Sequence, residues 1–314
     1  MRSISTQEQA FHVVIVGGGP GGMATLLAAH HNGQLDDLLK QGVAVIEQGD
    51  AMGGGALGQY AINSDSSGLT FVDCLRASEP TPLTSLYNHP LTRRLAEAGD
   101  GAVTLEDAGT FLDLVGATLQ DMVVSHDRCR VFVRHTAISL ARRDDGWSVK
   151  IRDTEGKTRL LYARHVVLAT GADQPASRLK AEQVGGANLV ELCGGKLLQS
   201  GEVLSRGGLA DVAARLKQRD TPRVAVVGGS TSAVAVCHAL LNRLPDIKFS
   251  ENSVVLLHRR DLRLYYPYAQ SALDDGYPEF GTAAYCTVRR KVFRFSCSRL
   301  DSRDLVLPAS PIGA

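Results

Sequence analysis

Val13-Val14-Ile15-Val16-Gly17-Gly18-Gly19-Pro20-Gly21-Gly22 is the stretch that decides the fold. Four consecutive apolar residues, all β-branched, suit a strand, and the glycines after them suit a tight turn. Gly17, Gly19 and Gly22 occupy the three positions of GxGxxG. The first permits the turn, the second lets backbone approach a pyrophosphate, and the third lets helix pack on strand. Pro20 suits the first turn of the helix, which continues through the apolar run Met23 to Ala29. A dinucleotide would thus meet a helix N-terminus, where unpaired N–H groups and the helix dipole favour an anion.

Farther along, Val224-Ala225-Val226-Val227 runs into Gly228-Gly229-Ser230-Thr231-Ser232-Ala233. This is the same strand, turn and helix start in the form GxSxxA, with Gly228 for the turn, Ser230 at the pyrophosphate position and Ala233 for helix packing. Gly229 and Ser232 complete the candidate phosphate loop. One such turn indicates one nucleotide, and two indicate transfer between two nucleotides.

Each turn is followed by a strand whose end reads the ribose. Val43-Ala44-Val45-Ile46 ends on Glu47-Gln48, and a carboxylate there accepts hydrogen bonds from the hydroxyls of an adenosine ribose. Val254-Val255-Leu256-Leu257 ends instead on His258-Arg259-Arg260, with Arg263 close by. An acid at that point would repel a 2′-phosphate, whereas Arg259 and Arg260 can clamp one, so the second site is expected to take NADPH rather than NADH.

Between the two turns, Met52-Gly53-Gly54-Gly55-Ala56-Leu57-Gly58-Gln59-Tyr60 is too glycine-rich for a packed helix. It suits a segment lying against a flat cofactor, or a connecting loop. Ala61 to Ser66 carries short polar side chains able to hydrogen-bond a ring edge or a substrate. Residues 131 to 168 alternate in the β manner and predict an antiparallel meander, from Val131-Phe132-Val133 to Val166-Val167-Leu168. Thr170 and Gly171 close it with small residues where backbone passes near a bound nucleotide.

The ordered trio GGGPGG, ATGA and GGSTSA, with a meander between the first two, resembles the two-dinucleotide FAD/NAD(P)H flavoproteins over about residues 11 to 265. The resemblance implies an α/β fold: an FAD-binding Rossmann-like domain with a β-meander, plus an inserted NADPH-binding Rossmann-like domain. The expected boundaries are 1–175 for the first, with 281–314 returning to it, and 176–280 for the second. It implies the cofactors FAD and NADPH, with Gly17, Gly19, Pro20, Gly22, Glu47, Gln48, Thr170 and Gly171 on the flavin nucleotide.

Without a CxxC dithiol, the chain is more similar to flavin monooxygenases of the N-hydroxylating type than to disulfide reductases. The FxGxxxHxxxW fingerprint of ketone-oxygenating members is absent, and Trp147, the only tryptophan, lies in the meander. The implied activity is hydroxylation of a small molecule by O2 through a C4a-hydroperoxyflavin. Alternatives are an NAD(P)H:acceptor flavin reductase and a non-catalytic nucleotide-binding protein.

Composition narrows the classes. Lysine plus arginine (34) and aspartate plus glutamate (33) nearly cancel in the 314 residues, so no global field recruits nucleic acid or an anionic membrane. No stretch approaches the ~20 apolar residues of a membrane span, and Met1 to Ala10 lacks a signal-peptide apolar region, which predicts a cytoplasmic protein. The six cysteines have no metal or redox spacing and are expected to be inert, partly buried thiols. No metal-ligand set and no catalytic constellation stands out. His30 and His31 are expected at the surface of the first helix, and Cys237 and His238 in an apolar core. Tyr265, Tyr266 and Tyr268 are expected to pack. Homo-oligomerisation is compatible with the sequence.

Overall fold

The computed structural model describes residues 10–260, 262–266, 268–277, 285–287, 291–292 and 305. The chain divides into two compact units. The first comprises Met1–Gly58, Gly68–Asp100 and Glu106–Asp173; the second comprises Gln59–Ser67, Gly101–Leu105 and Gln174–Ala314.

The first unit begins with β1 (Ala10–Val16), α1 (Pro20–His31), α2 (Leu35–Gln41) and β2 (Val43–Ile46). The apolar run predicted as a strand is one, and it lies in the core: Val14 and Ile15 are fully buried, as are Val43 and Ala44 of β2. Strands β1 and β2 pair in parallel, Val13 opposite Val43 through Val16 opposite Ile46. Gly42 ends α2 with φ +100°, a conformation that favours glycine, and so turns the chain directly into β2.

After the twenty-residue α3 (Leu105–Val124) come β3 (Arg130–Phe132), β4 (His135–Arg143), β5 (Gly146–Asp153) and β6 (Thr158–Leu168). They complete a six-stranded sheet in the order β3-β2-β1-β6-β5-β4. Strand β6 joins its two halves: residues 158 to 163 pair antiparallel with β5, and residues 162 to 168 pair parallel with β1.

The meander is therefore β4-β5-β6, and Val131-Phe132 is not part of it. Phe132 lies opposite Ile46 on the far edge of the sheet, parallel to β2. Its alternation looked like that of the hairpin strands. However, Arg134 at φ +55° breaks the run, so the two short segments go to opposite edges.

His30 also departs from expectation. It is 3% exposed, with Nε2 2.8 Å from Thr81 Oγ1 and its buried Nδ1 without a partner, while His31 stays exposed. Helical periodicity explains this, because His30 follows Met23 and Leu26 on the buried face of α1.

The second unit has a two-stranded parallel sheet, β7 (Val224–Val227) and β8 (Val254–Leu257), linked by α4 (Thr231–Arg243). Its core contains Val226, Ala233, Val236, Cys237 and Leu240, so Cys237 packs as expected. His238 is only half-buried and lines a small crevice with Ile62, Asn63, Ser64, Asp65, Ala235 and Arg243. Residues 63 to 67 form a strand paired with Ala102–Thr104 rather than a loop.

Tyr266 is fully buried and stacks on Tyr277 at 5.7 Å between ring centroids, whereas Tyr268 is 67% exposed. Val292, within the segment expected to return to the first domain, bridges to Tyr266 and packs with Val234 and Leu264 of the second unit. The rest of that segment lies largely outside the described residues, as does the tail from residue 308.

Burial lowers the His30 pKa, and the neighbouring His31 lowers it further. Unfolded, the ring regains its ordinary pKa near 6.5 and binds more protons than the folded state, so stability rises with pH across this window. The contribution is complete above about pH 6.5 and declines below it, each tenfold preference for the neutral ring amounting to about 1.4 kcal/mol. Thermal unfolding of wild type should show a midpoint falling between about pH 7.5 and pH 5.5, more steeply than in His30→Gln. Parallel slopes for the two proteins would refute the role of His30.

Candidate dinucleotide-binding turns

The first turn is closed where it must fold and open where a ligand would sit. A Cβ added to Gly17, at φ +108°, would stand 2.2 Å from the Ala169 carbonyl oxygen, and one added to Gly22 would stand 1.8 Å from the Gly17 carbonyl oxygen. Both positions therefore require glycine. A Cβ at Gly19 would meet nothing within 4 Å. Gly19 is also the N-cap of α1 and makes no side-chain cap, so the first N–H groups of the helix are open to an external acceptor. These features fit a dinucleotide pyrophosphate.

Glu47 sits at the end of β2, half-buried. Its Oε2 accepts from the Gly18 N–H at 2.6 Å and its Oε1 from the Gly49 N–H at 2.7 Å. The carboxylate thus ties the glycine turn to the loop after β2. Each oxygen retains capacity for a second donor such as a ribose hydroxyl. Gln48 is exposed beside it. Thr170 and Gly171 follow β6 and are exposed, Gly171 at φ +76°, immediately after the Ala169 carbonyl that touches Gly17.

The glycine-rich segment after Glu47 packs mainly on α3 rather than standing free for a cofactor. Gly54 N–H donates to Asp113 Oδ1 at 2.8 Å, and a Cβ on Gly53 would lie 2.2 Å from the same oxygen. A Cβ on Gly116 would be 2.3 Å from the Met52 carbonyl oxygen, and one on Gly109 would be 2.5 Å from the Gly58 Cα. Loop and helix approach backbone to backbone. The segment also touches the turn: the Gly53 N–H donates to the Gly18 carbonyl at 3.0 Å, and a Cβ added to Gly55 would be 3.6 Å from Pro20 Cδ and 3.8 Å from the Gly19 Cα. Asp113, Gly109 and Gly116 did not stand out in the sequence. The signal was available in two glycines seven positions apart, on one helix face, matched to a glycine-rich loop.

In the second unit, Gly228 has φ +144° and its N–H donates to the Leu257 carbonyl at 2.9 Å, joining the turn to the end of β8. A Cβ added to Gly228 would be 3.3 Å from the Ala233 Cβ, so the turn and the first turn of α4 approach closely here. Ser230 is the exposed N-cap of α4 and makes no side-chain cap, and Ser232 is exposed in the first turn. Gly229 faces the basic corner: a Cβ there would be 3.1 Å from the His258 Cβ and 3.7 Å from the Arg260 carbonyl oxygen.

His258 Nδ1, 2.8 Å from the Arg260 carbonyl oxygen, tightens that corner. Arg259 and Arg260 are exposed on it and make no ion pair among the described residues. The site therefore brings together the GxSxxA turn and two arginines, a donor set suited to a pyrophosphate and a 2′-phosphate.

Substitution at the first turn should separate folding from binding. Gly22→Ala should lower the melting temperature of the flavin-free protein by several degrees through backbone collision. Gly19→Ala should leave that temperature unchanged yet lose about tenfold or more in FAD affinity by flavin titration. If Gly19→Ala retains full affinity, the dinucleotide does not approach at Gly19.

Comparison with known proteins follows the same lines. The pyridine nucleotide-disulphide oxidoreductase family matches residues 11–277. A CMP-5′-(3-aminopropyl)phosphonate hydroxylase from Streptomyces rubellomurinus is 30% identical over 299 residues, covering 94% of this chain and 67% of that protein. Among solved structures, an ornithine N-hydroxylase from Kutzneria sp. 744 superposes with TM-score 0.55 at 17% identity, over 95% of this chain and 67% of its own. An ornithine hydroxylase from Pseudomonas aeruginosa gives 0.59 at 13% identity, over 96% and 69%. The structural likeness confirms the Rossmann-like flavoprotein fold.

Proposed function

The chain belongs to the pyridine nucleotide-disulphide oxidoreductase family and is an FAD- and NADPH-dependent oxidoreductase, and from that premise we propose that it hydroxylates the amine of a small molecule with O2. The observation that carries this reading is the 30% identity, along nearly the whole chain, to a hydroxylase whose named substrate bears an aminopropyl group. The substrate class proposed is a small amine that also carries an anionic group.

We assign FAD to the first unit and NADPH to the second. At the first turn the α1 N-terminus and Gly19 would hold the pyrophosphate, with Glu47 on the ribose and Gln48, Thr170 and Gly171 beside the nucleotide. At the second, Gly228 to Ser232 would hold the pyrophosphate, and Arg259 and Arg260 the 2′-phosphate. The bound flavin supplies hydride acceptance and oxygen activation, which a chain with no assigned catalytic residue does not need to provide itself.

Burial at three cysteines argues against thiol chemistry there. Burial pushes the Cys74 thiol up to about 12 and raises those of Cys129 and Cys237, so these three are held away from the reactive thiolate. Cys129 is further occupied, its Sγ donating to the Leu39 carbonyl at 3.1 Å and accepting from the Val43 N–H at 3.3 Å.

Two measurements test the proposal. Arg259→Ala/Arg260→Ala should raise the Kd for NADPH by about tenfold to a hundredfold while leaving that for NADH nearly unchanged, because only the former carries the phosphate. Equal losses would remove these arginines from the site. Separately, turnover with NADPH, ¹⁸O2 and aminoalkyl phosphonates or amino acids should place one labelled oxygen on the amine product. Peroxide without labelled product would indicate a flavin reductase, and absence of NADPH oxidation a non-catalytic role.

A further inference from the structure

The outer face of the meander carries a charge pattern that the cofactor assignment does not use. Along β5, Val149 and Ile151 face the core while Lys150 and Arg152 are exposed on the opposite face. The register extends that face across three strands. Lys150 lies between Ser139 and Leu160, Arg152 between Thr136 and Thr158, and Ser148 between Ala141 and Tyr162. Arg143, opposite Gly146, and Arg164, next to Ala163, carry the face to its other end.

Arg143, Lys150, Arg152 and Arg164 are all exposed, and none is ion-paired among the described residues. The Arg143 guanidinium lies 5.6 Å over the Tyr162 ring, which fixes its position without neutralising it. At ~3.3 Å per residue, the span from Gly146 to Arg152 makes this a cationic strip roughly 20 Å long. No acidic residue projects into it from the paired positions.

Acids stand at both hairpin tips instead. Asp144 and Asp145 follow Arg143, and Asp153 and Glu155 follow Arg152. Asp153 is engaged locally, accepting from the N–H groups of Glu155 at 3.0 Å and Lys157 at 2.8 Å.

We propose that this face docks an acidic patch on a partner protein, transiently and by charge complementarity. A nucleic acid running along the strands would leave the strip over a cluster of carboxylates at either end, and the near-zero net charge of the chain provides no wider attraction for a polyanion. A membrane would need a continuous apolar surface to insert, and on this face the exposed aliphatic side chains Leu160, 42% exposed, and Ile138, 39% exposed, are separated by Lys150. A folded partner with a bounded acidic cluster satisfies both features, and the flanking acids would set its register by repelling misplaced carboxylates.

The test uses the flavin-loaded full chain and a short fluorescein-labelled peptide of alternating glutamate and serine, followed by anisotropy at low salt. The peptide should bind wild type and lose about tenfold or more in affinity in Lys150→Glu/Arg152→Glu, with a smaller loss in Lys150→Gln/Arg152→Gln. NADPH oxidation should be unchanged in both variants, which verifies that they are folded. Oligothymidylate and phosphatidylglycerol vesicles should bind more weakly than the peptide, and Asp144→Asn/Asp145→Asn should strengthen oligothymidylate binding specifically. No peptide binding, or equal affinity in wild type and the Glu variant, would overturn the proposal. Tighter binding of oligothymidylate or vesicles than of peptide would also overturn it, in favour of a nucleic acid or lipid surface.

Discussion

The contact on which the first unit depends is one between backbones, made where β1 ends and α1 begins. The Gly17 position has room for a hydrogen but not a methyl against the Ala169 carbonyl, and Gly22 is equally tight against Gly17 itself. These contacts let the chain leave β1, pass the end of β6 and enter a helix within a few residues. The Ala169 N–H donating to the Val16 carbonyl at 2.8 Å holds the same crossing from the other side. With two glycines fixed in this way, the third, Gly19, is left facing open space at an uncapped helix end. The opening at Gly19 is a by-product of the tightest packing in the turn.

The second unit meets the same geometric demand less strictly. Alanine replaces glycine at residue 233, and its Cβ fits at 3.3 Å from where a side chain on Gly228 would begin. The sheets differ more. Residues 13–16 of β1 and 43–46 of β2 are buried on both faces, whereas β7 and β8 leave Val227 81% and Leu257 50% exposed on theirs. A parallel pair with one bare face has less apolar burial to hold it.

Legibility in the sequence followed how local each signal was. Both turns, both flanking strands and the close helix packing at Ala233 depend on residues within a few positions of one another, and the motif spacing encodes them. The long-range partners were not legible. Val131-Phe132 alternates like a meander strand, yet its place at the opposite edge depends on the φ +55° residue Arg134 and on pairing with β2. His30 is polar in composition but apolar in position, so helical phase decided its burial. The packing of residues 52 to 58 on α3 required knowing that Gly109 and Gly116 face them, a relation between segments far apart in sequence.

The thiols show how packing constrains chemistry when motif and family name point in different directions. A disulphide oxidoreductase needs a thiolate that can attack, and thiolates are favoured by exposure and nearby positive charge. Desolvation instead dominates at Cys74, Cys129 and Cys237, outweighing even the attraction of Arg130 for Cys129. Two of these cysteines lie in cores built by the sheets and helices that create the nucleotide turns: Cys129 beside the start of β2, and Cys237 within α4. The packing that positions the dinucleotide turns thus also holds these thiols in their protonated form. None of these three is therefore poised as the nucleophilic thiolate that disulfide chemistry requires.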